Sequence, residues 1–268
     1  MTGGWQALTD ELDIWAAEGR SACFWWRDDD ATDATPALER LLRLHSGSGI
    51  PLALAVIPAL AKPALADRLR VHPSVAALQH GYAHRNQAGS HEKKSEFPAA
   101  RPQAERLDDM RVGRGLLDGL FGPRLQPIFV PPWNRLAADC LPAMPGLGYV
   151  AVSAFKPRND YWAAPRLAAL NTHIDPIDWH GADNAAAIAR CLAAACAHLR
   201  AMRLGQEPLQ PIGLLTHHLR HDETVWAFVS EFQARTAAHA AVHWLDVVAA
   251  LQVGAPGSHS PSSVMPAS

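Results

Sequence analysis

A protein that grips nucleic acid needs a basic stripe to neutralise phosphates. This chain has none: 24 Lys and Arg stand against 26 Asp and Glu, a formal net charge of −2. No apolar run in it approaches the roughly 18 residues of a membrane span, so neither nucleic acid nor a membrane is expected as a partner. Cysteine is sparse and scattered. Cys23, Cys140, Cys191 and Cys196 include no C-x-x-C pair, which argues against a disulfide framework and a cysteine-rich zinc knuckle. Internal repeats are absent. The opening stretch MTGGWQALTDELDIW carries acidic residues and lacks the basic-then-apolar order of a secretion signal, so a cytoplasmic protein is expected. Nothing specifies an oligomeric state.

What remains is an ordinary globular composition of 268 residues, 49% hydrophobic and 19% charged, which supports a sizeable core. Short apolar runs at 21–26 (SACFWW), 51–57 (PLALAVI), 75–79 (VAALQ), 127–130 (PIFV), 149–153 (YVAVS), 166–172, 211–215 (PIGLL) and 241–245 (AVHWL) read as strands. Helical stretches are expected at 36–44, 64–69, 102–120, 136–144, 183–204 and 222–238, the alanine-rich 183–204 being the clearest. Residues 85–101 have no clear period and read as a long loop able to act as a lid. Strands alternating with helices argue for a parallel sheet. Seven or eight such units in one domain of about this length suggest a distorted α/β barrel, with an open doubly wound sheet as the competing architecture. The domain is expected to span residues 1–252, followed by a disordered Gly/Ser/Pro-rich tail at 253–268.

Polar clusters follow particular strands: RDDDATD (27–33), HGYAHRN (80–86), PPWNR (131–135), HIDPIDWH (173–180) and THHLRHD (216–222). In a barrel such strand ends share one mouth, so remote segments would meet there. Three consecutive aspartates repel one another unless a cation or a helix N-terminus rewards them. His80 and His84 have the i, i+4 spacing of a metal-binding pair, although His217/His221 and His239/His243 share it. His217 or His218 could serve as a general acid or base, or be a buried structural histidine. Trp25, Trp26, Trp133 and Trp179 lie near these motifs and could stack on a sugar ring or fill the core.

In order along the chain, RDDDA, HGYAH, VPPWN, DPIDW and LLTHH resemble the five motifs of the polysaccharide deacetylase family, the NodB-homology or carbohydrate esterase type. The resemblance spans residues 27–218. It implies a (β/α)7-8 barrel of the glycoside hydrolase/deacetylase type and a metal-dependent hydrolase that removes an acyl group, N-acetyl foremost, from an amino sugar or related carbohydrate or small amide. It implies a divalent metal, zinc foremost, held by Asp30, His80 and His84, with Asp29 as catalytic base. A one-residue shift would instead make Asp28 the base and Asp29 the ligand. His217 matches the catalytic acid, with His218 beside it, and Asp178 the carboxylate that tunes it. Trp133, next to Pro132, contributes a backbone N–H to the oxyanion, and Trp179 lines the pocket.

The motifs also depart from the family's. Val130 stands where the family has the arginine that supports its base, and Arg27 or Arg135 is the candidate replacement. Gly81 replaces a Ser/Thr that hydrogen-bonds within the second motif, and the glycine of the first motif is Ala31 or Asp30. Three rival readings follow: a metal-independent amidohydrolase of cyclic imides or ureides on the same fold, a catalytically inactive carbohydrate-binding relative, and a non-haem iron oxygenase, which the βα pattern disfavours.

Overall fold

The structure, a computed structural model, describes residues 2–257 other than Ala182. The N-terminal stretch forms a helix, α1 (Thr2–Ala17), that the sequence reading did not draw. Its Trp5, Leu8, Leu12 and Trp15 recur at helical spacing and are buried. Then β1 (Ala22–Ala31), α2 (Pro36–Ser48), β2 (Leu52–Val56), α3 (Pro63–Leu69) and β3 (Val75–His80) follow the expected order. Thr35 caps α2, its hydroxyl accepting from the Leu38 N–H at 3.1 Å, and Gly49 ends it in the left-handed region.

After a long connection come α4 (Gln103–Phe121) and β4 (Leu125–Val130). The short helix expected at 136–144 is a 3₁₀ segment over Ala138–Leu147, because Pro142 and Pro145 remove the donors a continuous α-helix needs. Next are β5 (Ala151–Val152), β6 (Trp162–Ala164) and β7 (Leu167–Ala169). The last two form an antiparallel edge hairpin turned at Arg166, at φ 64°. The chain ends in α5 (Asn184–Arg203), β8 (Ile212–Thr216), α6 (Glu223–Ala237), β9 (Val242–Trp244) and α7 (Val247–Gln252). Val253 is tied to the fold, its carbonyl accepting from Arg158 Nη2 at 2.6 Å. Residues 258–268 of the expected tail lie outside the described residues.

The sheet runs β6-β7-β5-β4-β3-β2-β1-β8, with β9 also against β1, and every pair except β6/β7 is parallel. The ladder itself is open. What joins its two sides is an isolated bridge between Ile174 and Leu214, with Leu215 N–H donating to the Ile174 carbonyl at 2.7 Å. The result is a distorted α/β barrel. Strand alternation divides the core. Trp25, Ala53, Ala55, Leu78 and Ile128 fill the inside, closed below by Val247, Ala250 and Leu251 of α7. Phe24, Trp26, Leu52, Leu54 and Val56 face the helices outside. Small side chains at Ala53 and Ala55 leave room inside for the Trp25 indole.

Helix α5 is, among the described residues, the one helix long and apolar enough to cross a membrane by length and composition. Here one face of it, including Ile188, Leu192, Ala195 and Leu199, is buried in the outer core.

Candidate active site

The acidic run lies inside β1, not after it. Alternation alone would put Arg27 and Asp29 on the barrel's inner side with Trp25, and Asp28 on the outer side with Trp26. A register irregularity between Asp28 and Ala31 then breaks the pattern, and Asp30 takes a left-handed φ of 71°. Three neighbouring aspartates are thereby sent in three directions.

Asp30 meets the second motif. His80 Nε2 lies 3.1 Å and His84 Nε2 3.3 Å from Asp30 Oδ1. One potential ligand atom from each of the three residues falls within 4.8 Å of the others. His80 ends β3, and its Nδ1 donates to the Val130 carbonyl at 3.1 Å. Burial opposes a charge on the ring, but Asp29 and Asp30 outweigh it and raise its proton affinity, so that Nε2 donates to Asp30; loss of that proton frees Nε2 to bind a cation. Burial pushes the Asp30 carboxyl up, but the His80 hydrogen bond and the neighbouring histidines outweigh it and hold the acid well below the usual carboxylate range. Burial together with His80 lowers the proton affinity of His84, leaving a neutral imidazole. Two imidazoles and one carboxylate, with ligand positions left over, are a donor set that fits zinc or a similar divalent ion in an open site.

Asp29 turns inward to Arg27. Arg27 Nη2 donates to Asp29 Oδ2 at 3.0 Å, and Arg27 Nε lies 2.9 Å from Oδ1. The guanidinium is fully buried and also donates to Ser153 Oγ at 2.6 Å, the Ser153 carbonyl at 3.0 Å and Asn134 Oδ1 at 3.1 Å. It therefore spans the inside of the barrel from β1 to the ends of β4 and β5. Arg135, the other candidate for this place, is exposed and donates to the Lys94 carbonyl at 2.9 Å.

Asp28 is fully buried on the other face. It accepts from Thr216 Oγ1 at 2.6 Å, from the His218 N–H at 3.0 Å and from His218 Nδ1 at 2.5 Å. Burial works against both charges. The Asp28–His218 attraction outweighs it, lowering the acid's pKa and raising the imidazole's. Thr216 in turn accepts from Trp26 Nε1 at 2.9 Å. Asp28 and His218 thus satisfy each other in a structural clasp between β1 and β8.

His217 takes its place beside Trp179, ring to ring at 4.8 Å and nearly perpendicular. Its Nδ1 is buried and finds no hydrogen-bond partner among the described residues. Of the two acids in DPIDW, Asp175 is the one tied into this corner: Trp179 Nε1 donates to its Oδ2 at 2.7 Å. Burial raises the Asp175 carboxyl, with His217 and Trp179 pulling it back. Asp178 instead turns its Oδ1 to the N–H groups of His180 and Gly181 in its own exposed turn. Sequence reasoning passed over Asp175, three positions earlier, because both acids suit the motif.

Trp133 packs its indole on the His84 ring at 4.4 Å, with Pro132 buried beside it. Among the described residues, six non-glycine residues have positive φ, and four of them, Asp30, His84, Trp133 and Asn134, belong to this site. Such backbone costs on the order of 1–3 kcal/mol per residue, so its clustering marks a place built for function. A cleft of about 410 Å³ opens alongside, its lining including Asp30, His84, Leu60, Leu219 and Arg220. Glu96, from the long loop, also reaches the site and was not legible in the sequence.

No family model matches the sequence, and no curated protein does. Solved structures do. One from Mycobacterium smegmatis, assigned as a polysaccharide deacetylase, has a TM-score of 0.64 at 14% identity, over 87% of this chain and 90% of its own. One from Pseudomonas aeruginosa, assigned likewise, scores 0.57 at 14% identity over 86% and 89%. A family 4 carbohydrate esterase from Streptomyces lividans, solved with acetate, scores 0.54 at 14% identity over 82% and 90%. The chain thus carries the fold of the polysaccharide deacetylases, the family its sequence motifs resemble.

Proposed function

We propose that this protein is a metal-dependent hydrolase that removes an acyl group, N-acetyl foremost, from an amino sugar or a related carbohydrate. The observation that carries the reading is the convergence of Asp30, His80 and His84 within 4.8 Å, next to an aspartate, Asp29, that a buried arginine holds in place. The deacetylase fold supports it.

Asp30, His80 and His84 would hold a divalent cation, zinc by the chemistry of the donors, which when bound would supply Lewis acidity at the scissile carbonyl and lower the pKa of the attacking water. Asp29 takes the proton from that water as its oxygen adds to the carbonyl carbon. Arg27 contacts both oxygens of Asp29 and so fixes the direction in which the base points. The Trp133 backbone N–H is assigned to the developing oxyanion, a contact whose loss typically costs about 3 kcal/mol. As the C–N bond breaks, His217 delivers a proton to the leaving nitrogen, and acetate and a free amine result. To Asp175 we give the part that the motif reading assigned to Asp178, holding the proton-donating corner together through Trp179. Trp179 is half exposed beside His217 and suits the wall of the acyl pocket.

The test is an acetate-release screen over N-acetyl sugars, run before chelation, after it, and after a divalent metal is restored. Release that chelation abolishes and metal restores is expected. Release that survives exhaustive chelation would select the metal-independent amidohydrolase instead.

A further inference from the structure

The loop that carries His84 lacks the hydroxyl that its family resemblance implies, because position 81 is glycine. The structure puts a carboxylate where that side chain would lie. Glu96 comes from the long connection before α4 and is 2% exposed. It accepts from the Tyr82 N–H at 3.0 Å, the Ala83 N–H at 2.8 Å and the Arg85 N–H at 3.3 Å, three donors flanking His84. A Cβ on Gly81 would collide with Glu96 Oε2 and with Pro132, and Gly81 has a φ of 59°. Glycine at 81 and glutamate at 96 are therefore one arrangement: the missing side chain makes room for the incoming acid.

Glu96 is itself held firmly. Phe97 is fully buried and stacks edge-on against Phe129 at 5.3 Å. Phe97 also bridges to Leu136, its carbonyl accepting from the Ala137 N–H at 3.0 Å. Upstream, Asn86 Oδ1 accepts from the Ser95 N–H at 3.0 Å and pinches the exposed excursion shut at its base. The excursion is closed off, and its anchored end reaches the metal-binding loop. A buried carboxylate normally has a cationic partner or a nest of N–H groups. Here it has the nest, and the nest is the backbone around His84, whose φ of 53° is one that backbone adopts only under constraint.

We propose that Glu96 is a positioning residue for the candidate metal centre: it sets the backbone around His84 and, through it, the affinity of the Asp30–His80–His84 site for a divalent cation. This rests on the metal reading given above. Glu96→Gln keeps the size of the side chain but replaces one accepting oxygen with a donor, which then faces the loop's N–H groups. Outer partners of metal ligands typically change affinity by about 10–100-fold when altered.

The experiment is a titration of the metal-free full chain with Co²⁺, read by its visible absorption and by Kd, for wild type, Glu96→Gln and Glu96→Ala, with the metal-free melting temperature of each recorded. Glu96→Gln should bind cobalt at least tenfold more weakly than wild type, with an altered spectrum. Should Glu96→Ala not fold, the glutamine variant decides. A glutamine variant that lowers the metal-free melting temperature but keeps the wild-type Kd and spectrum shows a merely structural plug and overturns the proposal. Wild type that takes up no cobalt removes the metal reading itself, and this inference with it.

Discussion

Arg27 and Asp29 sit two positions apart on one strand, and the guanidinium of the first grips both oxygens of the second inside the barrel, at 3.0 and 2.9 Å. Removing one partner of a buried pair leaves the other charge uncompensated, which costs about 3–5 kcal/mol. Arg27→Met should therefore lose stability on that order in urea denaturation. It should also lose turnover far beyond what the unfolded fraction explains, because Asp29 is freed to rotate.

Asp28 gives the complementary case. Asp28→Asn replaces a carboxylate that accepts three hydrogen bonds, one from the His218 imidazole, and hydrogen bonds to charged groups are worth about 1.5–3 kcal/mol each. The variant should melt earlier yet hold as much metal as wild type. Loss of metal in Asp29→Asn, with metal kept in Asp30→Asn, would put the motif in the other register, with Asp29 as the ligand.

How much of this could be read from the sequence varies with the interaction concerned. The strand order was legible because SACFWW, PLALAVI and PIGLL are short apolar runs between helical stretches. Helix α1 is legible as well, in the helical spacing of the buried Trp5, Leu8, Leu12 and Trp15. Strand alternation does not give the separate directions of Asp28, Asp29 and Asp30, which depend on one irregular step in β1; it is the motif resemblance that singles out Asp30 as the partner of His80 and His84. Arg27 reaches Ser153 and Asn134 only because the barrel curls them together. Glu96 lay in a stretch without period, where neither helix nor strand spacing assigns a side chain a direction.

Asp175 and Asp178 can be told apart by kinetics. Asp175→Asn removes the carboxylate bound to Trp179 beside His217 and should lower kcat by roughly 10²-fold, the lower end for positioned acid–base groups, while shifting the pH profile. Asp178→Asn should leave kcat and the profile near wild type, its carboxylate serving only its own turn. Equal losses in both variants would contradict the assignment.

His173 makes stability pH-dependent. It is buried with Nδ1 accepting from the Gly213 N–H at 3.0 Å and Nε2 donating to Gln210 Oε1 at 3.1 Å, a neutral tautomer. Burial, reinforced by His198, pushes its pKa down to about 3. The unfolded chain takes up this proton near the ordinary histidine value of about 6.5, whereas the folded one resists until about 3. The contribution is thus whole above pH 6.5 and drains away as pH falls toward 3, at up to about 1.4 kcal/mol per pH unit. His221, pushed down to about 4 chiefly by burial, adds in the same direction. Urea denaturation from pH 7 to 4.5 should show a steeper loss for wild type than for His173→Gln; parallel slopes would contradict this.

The claim on which the rest depends is that Asp30, His80 and His84 hold one cation. Metal content per chain, measured by mass spectrometry on wild type and on His80→Ala after equal exposure to zinc and desalting, tests it most directly. The account predicts close to one bound ion in wild type and almost none in a folded His80→Ala variant. Equal metal in the two proteins, or none in either, would contradict it.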